Sequence, residues 1–70
     1  MAVIRAEKAG KVLEVCVVAG DSISEDQDLI IVESMKMQIP VGSPEEGTVV
    51  KVFVVGDQFL NEGDPIVELS

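Results

Sequence analysis

Five consecutive residues near the middle of the chain, Glu33-Ser34-Met35-Lys36-Met37, set one amine between two apolar side chains. A lysine that an enzyme can reach from all sides is able, once neutral, to attack an activated acyl group and form an amide. In water a lysine amine holds a proton at neutral pH, so the acylating enzyme must help remove it, and the product is uncharged. Methionines on an exposed tip cost solvation, which a docking surface would explain. Strand alternation permits another reading, in which Met35 and Met37 point inward and Lys36 is only the polar residue between them. The pattern alone leaves both open.

Other reactive groups are few. The chain has no His, so the commonest general base and metal ligand are missing. Cys16 is its only cysteine, which excludes an internal disulfide or a thiolate metal cluster. It stands among Val15, Val17 and Val18 and reads as a small core hydrophobe in a chain suited to a reducing cytosol. The carboxylates and the five basic side chains form no catalytic constellation, and no glycine loop could cradle a phosphate. The expectation is a carrier with no catalytic residue and no metal site.

What must position Lys36 is written twice. At an offset of 37 residues Gly10 falls on Gly47, Val12 on Val49, Val15 on Val52, Val17 on Val54, Val18 on Val55 and Glu25 on Glu62. Apolar character is shared at Leu13 and Val50, Ile23 and Leu60, Leu29 and Ile66, Ile30 and Val67, and Val32 and Leu69. Each half opens with a glycine, runs through a β-branched stretch (12–18; 49–55), crosses a polar turn and closes with a second apolar stretch (29–33; 66–69). The stretches have strand length and lack helical periodicity. The turns between them are rich in Gly, Asp, Asn and Ser. Pro65 can only start its strand or lie at an edge.

A hairpin joins residues 29–33 to residues 38–41 through Ser34-Met35-Lys36-Met37, and Pro40 places its outgoing strand at an edge. If residues 10–33 superpose on 47–70, the point after Glu33 corresponds to the point after Ser70, so nothing obstructs the tip. The expected fold is all-β: two similar halves packed face to face in a flattened antiparallel barrel or sandwich with pseudo-twofold symmetry.

Seventy residues suffice for one domain, expected over residues 1–70. Thirteen acidic against five basic residues give a net charge of -8, which disfavours nucleic acid and anionic membrane as partners. The same charge suits a partner with a basic docking patch, and suits plain solubility equally well. The start carries no apolar run of signal-peptide length, and no stretch approaches the roughly 20 apolar residues that span a bilayer, so a cytoplasmic location is expected.

Glu33-Ser34-Met35-Lys36-Met37, set between two halves of such a repeat, resembles the attachment motif of the biotinyl/lipoyl carrier domains, whose biotinyl members read Glu-Ala-Met-Lys-Met or Glu-Ser-Met-Lys-Met. The likeness extends to Gly20-Asp21, to Ser43-Pro44-x-x-Gly47 and to Asn61-Glu62-Gly63-Asp64, and is greatest to the short free-standing biotin/lipoyl attachment proteins and the biotin carboxyl carrier domains. It implies a barrel of two four-stranded halves with the modified lysine on an exposed hairpin turn. It further implies that Lys36 receives biotin from a biotin protein ligase using biotinyl-adenylate, with Met35, Met37, Glu33 and Ser34 as the flanking recognition motif. The carrier then serves a biotin carboxylase and a carboxyltransferase or decarboxylase.

The chain departs from the family pattern in two places. Ala6-Glu7-Lys8-Ala9-Gly10 replaces a Pro-containing opening, and Asp26 stands where a turn glycine is usual, a conformation aspartate tolerates better than most residues. Lipoyl domains share the fold but usually carry Asp before the lysine and Ala or Val after it, so Met35 and Met37 match the biotinyl form; lipoate is the alternative cofactor. An unmodified structural barrel, of the kind interrupted by long helical arms in membrane-fusion adaptors, is the alternative from a different class.

Overall fold

A computed structural model describes residues 2–70 as eight strands and no helix: β1 (Ala2–Arg5), β2 (Gly10–Val15), β3 (Ser22–Ile23), β4 (Asp28–Ser34), β5 (Met37–Gly42), β6 (Gly47–Val52), β7 (Phe59–Leu60) and β8 (Pro65–Leu69). They form two four-stranded antiparallel sheets, ordered β1-β8-β6-β3 and β5-β4-β2-β7. The sheets interlock, because each completes itself with a two-residue strand from the other half of the chain. Among the described residues no helix is long and apolar enough to cross a membrane.

The core reproduces the repeat residue by residue. Val12, Val17, Ile23, Leu29, Ile30 and Val32 are buried, and so are their counterparts Val49, Val54, Leu60, Ile66, Val67 and Leu69. Burying a large aliphatic side chain is worth about 1.5–3 kcal/mol, so the two halves contribute comparable shares to one shared core. Glycine opens each half because the chain passes too close for a side chain. A Cβ on Gly10 would lie 2.7 Å from the Glu33 carbonyl oxygen, and one on Gly47 would lie 3.0 Å from that of Ser70.

The turns are copied too, with residue types exchanged. Left-handed backbone occurs at Gly20 and its counterpart Asp57, and again at Asp26 and its counterpart Gly63. The Val18 N–H donates to the Asp21 carboxylate and the Val55 N–H to the Gln58 side chain; the Ser24 N–H donates to Gln27 and the Asn61 N–H to Asp64. A short acceptor three residues ahead closes each turn, and Asp and Gln serve interchangeably.

One expectation is corrected. The two β-branched stretches were expected to run to Val18 and Val55, with Cys16 in the core, whereas β2 ends at Val15, β6 ends at Val52 and Cys16 is exposed. Val12 pairs with Val32 and Glu14 with Ile31, leaving Leu13 as an extra residue in a bulge. A bulge adds one residue and reverses the faces beyond it, so Val17 turns in and Cys16 turns out. The second half carries the same irregularity at Val50, between Val49 and Lys51. The prolines stand as expected: Pro40 on the edge strand β5, and Pro65 as the first residue of β8.

Candidate functional site

Strands β4 and β5 pair from Asp28 with Gly42 to Ser34 with Met37, leaving Met35 and Lys36 alone between the last partners. Their φ angles are 53° and 63°. Positive φ at both central residues marks the primed turns whose twist matches the flanking strands, a position usually given to Asn-Gly or Asp-Gly. A side chain with a Cβ costs about 1–2 kcal/mol per residue there. The ladder beneath imposes the turn, because β4 is an inner strand with Leu29, Ile30 and Val32 buried. Strain that surrounding structure over-determines is characteristic of functional positions.

Met35 is 92% exposed and Met37 62%, and Lys36 is exposed between them. The reading in which the methionines point inward is thereby excluded. Among the described residues the ion pair within 4.0 Å is that of Lys11 with Asp57, and no carboxylate among them engages the Lys36 amine. Glu33 is exposed and stands across from Lys11 on one side and Gln38 on the other. Ser34 is half-buried and lines the groove between edge strands β1 and β5. The five residues singled out by sequence are thus contiguous around the turn, with Glu33 on the outer sheet face, Ser34 toward the groove, and Met35-Lys36-Met37 in solvent.

The thiol is a poor rival to the amine. Partial desolvation first, and then the nearby Glu14 and Asp28 carboxylates, push the Cys16 thiol above its ordinary value and suppress the reactive thiolate. An accessible amine without a carboxylate partner fits an amide-linked group, which needs from the tip one reachable nitrogen and a firm anchor. Sequence reading passed over the outward row beside the tip, where Gln38, Glu33, Lys11 and Phe59 follow one another across four strands. Its signal was available: Phe59 falls on Ser22 in the repeat.

Comparison with known proteins places the chain among known relatives. The Biotin_lipoyl family, described as "Biotin-requiring enzyme", matches residues 2–69. The chain belongs to the biotin/lipoyl attachment family. It is 44% identical over 64 residues to the "Biotin/lipoyl attachment protein" of Bacillus subtilis (strain 168), covering 91% of this chain and 88% of that one. It is 43% identical over 67 residues to the "Biotinylated protein TB7.3 homolog" of Mycobacterium leprae (strain TN), covering 96% and 94%. Among solved structures, that of a single-chain, multi-domain long-chain acyl-CoA carboxylase superposes with a TM-score of 0.87 at 33% identity, over 94% of this chain and 6% of that one. The biotin/lipoyl attachment chain therefore spans most of its short relatives and a small segment of a multi-domain carboxylase.

Proposed function

We propose that Lys36 is biotinylated, and that residues 1–70 act as one carrier domain that moves carboxyl groups between a biotin carboxylase and a carboxyltransferase or decarboxylase while catalysing no step itself. The observation that carries this reading is the Lys36 amine, exposed on a two-residue turn with no carboxylate partner. Lys36 Nζ attacks the acyl carbon of biotinyl-adenylate in the ligase site; the amide bond forms, AMP leaves and the amine proton is lost. When bound, biotin supplies a ureido nitrogen that accepts and releases a carboxyl group.

The rest of the site holds and presents. The β4–β5 ladder fixes the base of the arm, so that the flexible lysine stem begins from a rigid point. Met35 and Met37 offer polarizable, adaptable apolar contacts to more than one partner, and Glu33 and Ser34 complete the segment the ligase reads. A surface of net charge -8 suits protein partners with basic patches and disfavours nucleic acid and anionic lipid. A cytoplasmic location accords with a lone cysteine that has no disulfide partner.

Lipoate on the same lysine is the second reading, favoured by the dual printed name of the Bacillus subtilis relative. One experiment separates the possibilities. After co-expression with a biotin protein ligase the intact mass should rise by one biotin, and Lys36→Arg should abolish the rise while leaving the far-UV spectrum unchanged. An increment of one lipoyl group in a host supplying both ligases would select the second reading, and a biotin increment that persists in Lys36→Arg would refute the assignment.

A further inference from the structure

The repeat that explains the barrel also isolates what it does not explain. On the body of the barrel, among the described residues, exposed large apolar side chains come in matched pairs: Leu13 with Val50, Val18 with Val55, and Val3 with the exposed Pro40. Duplication of a strand pattern accounts for these. Phe59 has no such account, being 61% exposed with Ser22 as its counterpart. The other aromatic of the chain, Phe53, is half-buried with the Lys51 amine 5.0 Å from its ring centroid.

Register places Phe59 in a definite relation to the tip. Phe59 pairs with Lys11, Lys11 with Glu33, and Glu33 with Gln38, all exposed and therefore on one outward face. The row lies one pair, about 3.4 Å, below the Ser34–Met37 pair that closes the turn, and crosses four strands at about 4.8 Å spacing. The equivalent row on the other sheet is Ser22 paired with Thr48, whose carbonyl accepts the Ser70 N–H. One face bears small hydroxyls; the face beside Lys36 bears an aromatic ring and charges. Asp57 sits 3.7 Å from the Lys11 amine, so Glu33 and Asp57 together leave this row net negative.

We infer that the row anchored by Phe59 is a docking surface for the ligase that acylates Lys36, an inference that rests on the reading of Lys36 above. The occupant is a protein with an apolar pocket for the phenyl ring and basic groups for Glu33 and Asp57. Continuity with the tip carries the argument. A partner that takes Lys36 into its active site must cover the ground beside it, and a stable contact of about 800 Å² per partner is wider than the whole row. Aromatic side chains at the centre of such a footprint contribute most of the affinity, and charged neighbours fix orientation. The two outward faces differ at this row, with Phe59 against Ser22 and Lys11 against Thr48, so a partner that must find the lysine end gains discrimination there.

The test exchanges the two counterparts. Initial rates of biotin incorporation are measured with a biotin protein ligase, ATP, biotin and varied carrier, for the parent chain, Phe59→Ser and Ser22→Phe. Both positions are exposed, and far-UV circular dichroism should report the parent fold in each. Phe59→Ser should raise KM about tenfold, the scale of a truncated aromatic anchor, with kcat within about twofold. Ser22→Phe should match the parent. In a second measurement the unmodifiable Lys36→Arg chain should inhibit competitively, and Lys36→Arg combined with Phe59→Ser should inhibit about tenfold more weakly. An unchanged KM in Phe59→Ser, a fall in kcat alone, or an equal effect of Ser22→Phe would overturn the docking surface while leaving Lys36 in place. A parent chain that takes no biotin on Lys36 overturns both.

Discussion

Two ladders of the barrel are counterparts, and among the described residues one of them ends in a turn. In one, Ile39, Pro40 and Val41 of β5 pair with Val32, Ile31 and Ile30 of β4; in the other, Ala2, Val3 and Ile4 of β1 pair with Leu69, Glu68 and Val67 of β8. Every one of these pairs maps onto its counterpart by the same offset. The first ladder continues through Glu33 with Gln38 and Ser34 with Met37 into the strained turn at Met35-Lys36, whereas the second is described as far as Ala2 and Leu69. Stability is thus distributed over both halves, and the proposed attachment site is a local edit on one of them. A repeat supplies a stiff base twice; closing one ladder with two left-handed residues turns that base into a presenting tip.

The strongest way to break the comparison is to make equal cuts in the two halves. Leu29→Ala and Ile66→Ala remove fully buried counterparts and should each cost about 2–5 kcal/mol in urea unfolding, with similar values for the two. Tolerance of one and collapse of the other would show that the halves do not share the core equally. A smaller effect sharpens the contrast between the ladder ends. Met35→Asn with Lys36→Gly places preferred residues in the turn and should stabilise by about 1–2 kcal/mol, raising Tm by roughly 4–8 °C per kcal/mol. An unchanged or lowered Tm would show that the turn stores no strain. The smallest expected effect concerns the thiol that the bulge turns outward. Because partial desolvation and the Glu14 and Asp28 carboxylates raise its pKa, Cys16 stays in the unreactive thiol form until the pH exceeds that raised value. Alkylation by iodoacetamide should therefore be slow at neutral pH and accelerate at a higher pH than for free cysteine; a rate at pH 7 equal to that of free cysteine would contradict this.

Much of this was legible in the residues. Val12 through Leu69 announce the repeated core because burial selects residue type, and Pro40 and Pro65 announce an edge and a strand start because proline lacks a ladder donor. The hairpin follows from two apolar runs of strand length joined through Ser34-Met35-Lys36-Met37. Its turn conformation did not, since Met35-Lys36 contains none of the residues that favour positive φ, and the strands beneath impose it. The outward placement of Cys16 was hidden for a related reason. A bulge at Leu13 leaves no mark in composition, yet it reverses the face of every residue after it. Phe59 was visible as a mismatch in the repeat, but its meaning depended on the register that puts it in the row beside the tip.

Localising the modification tests the central claim most directly. The parent chain carries Lys8, Lys11, Lys36 and Lys51, all exposed. Tandem mass spectrometry of the protein labelled by a biotin protein ligase should place the biotin on Lys36 and leave the other three unmodified. Biotin spread over Lys8, Lys11 or Lys51, with Lys36 bare, would contradict the account.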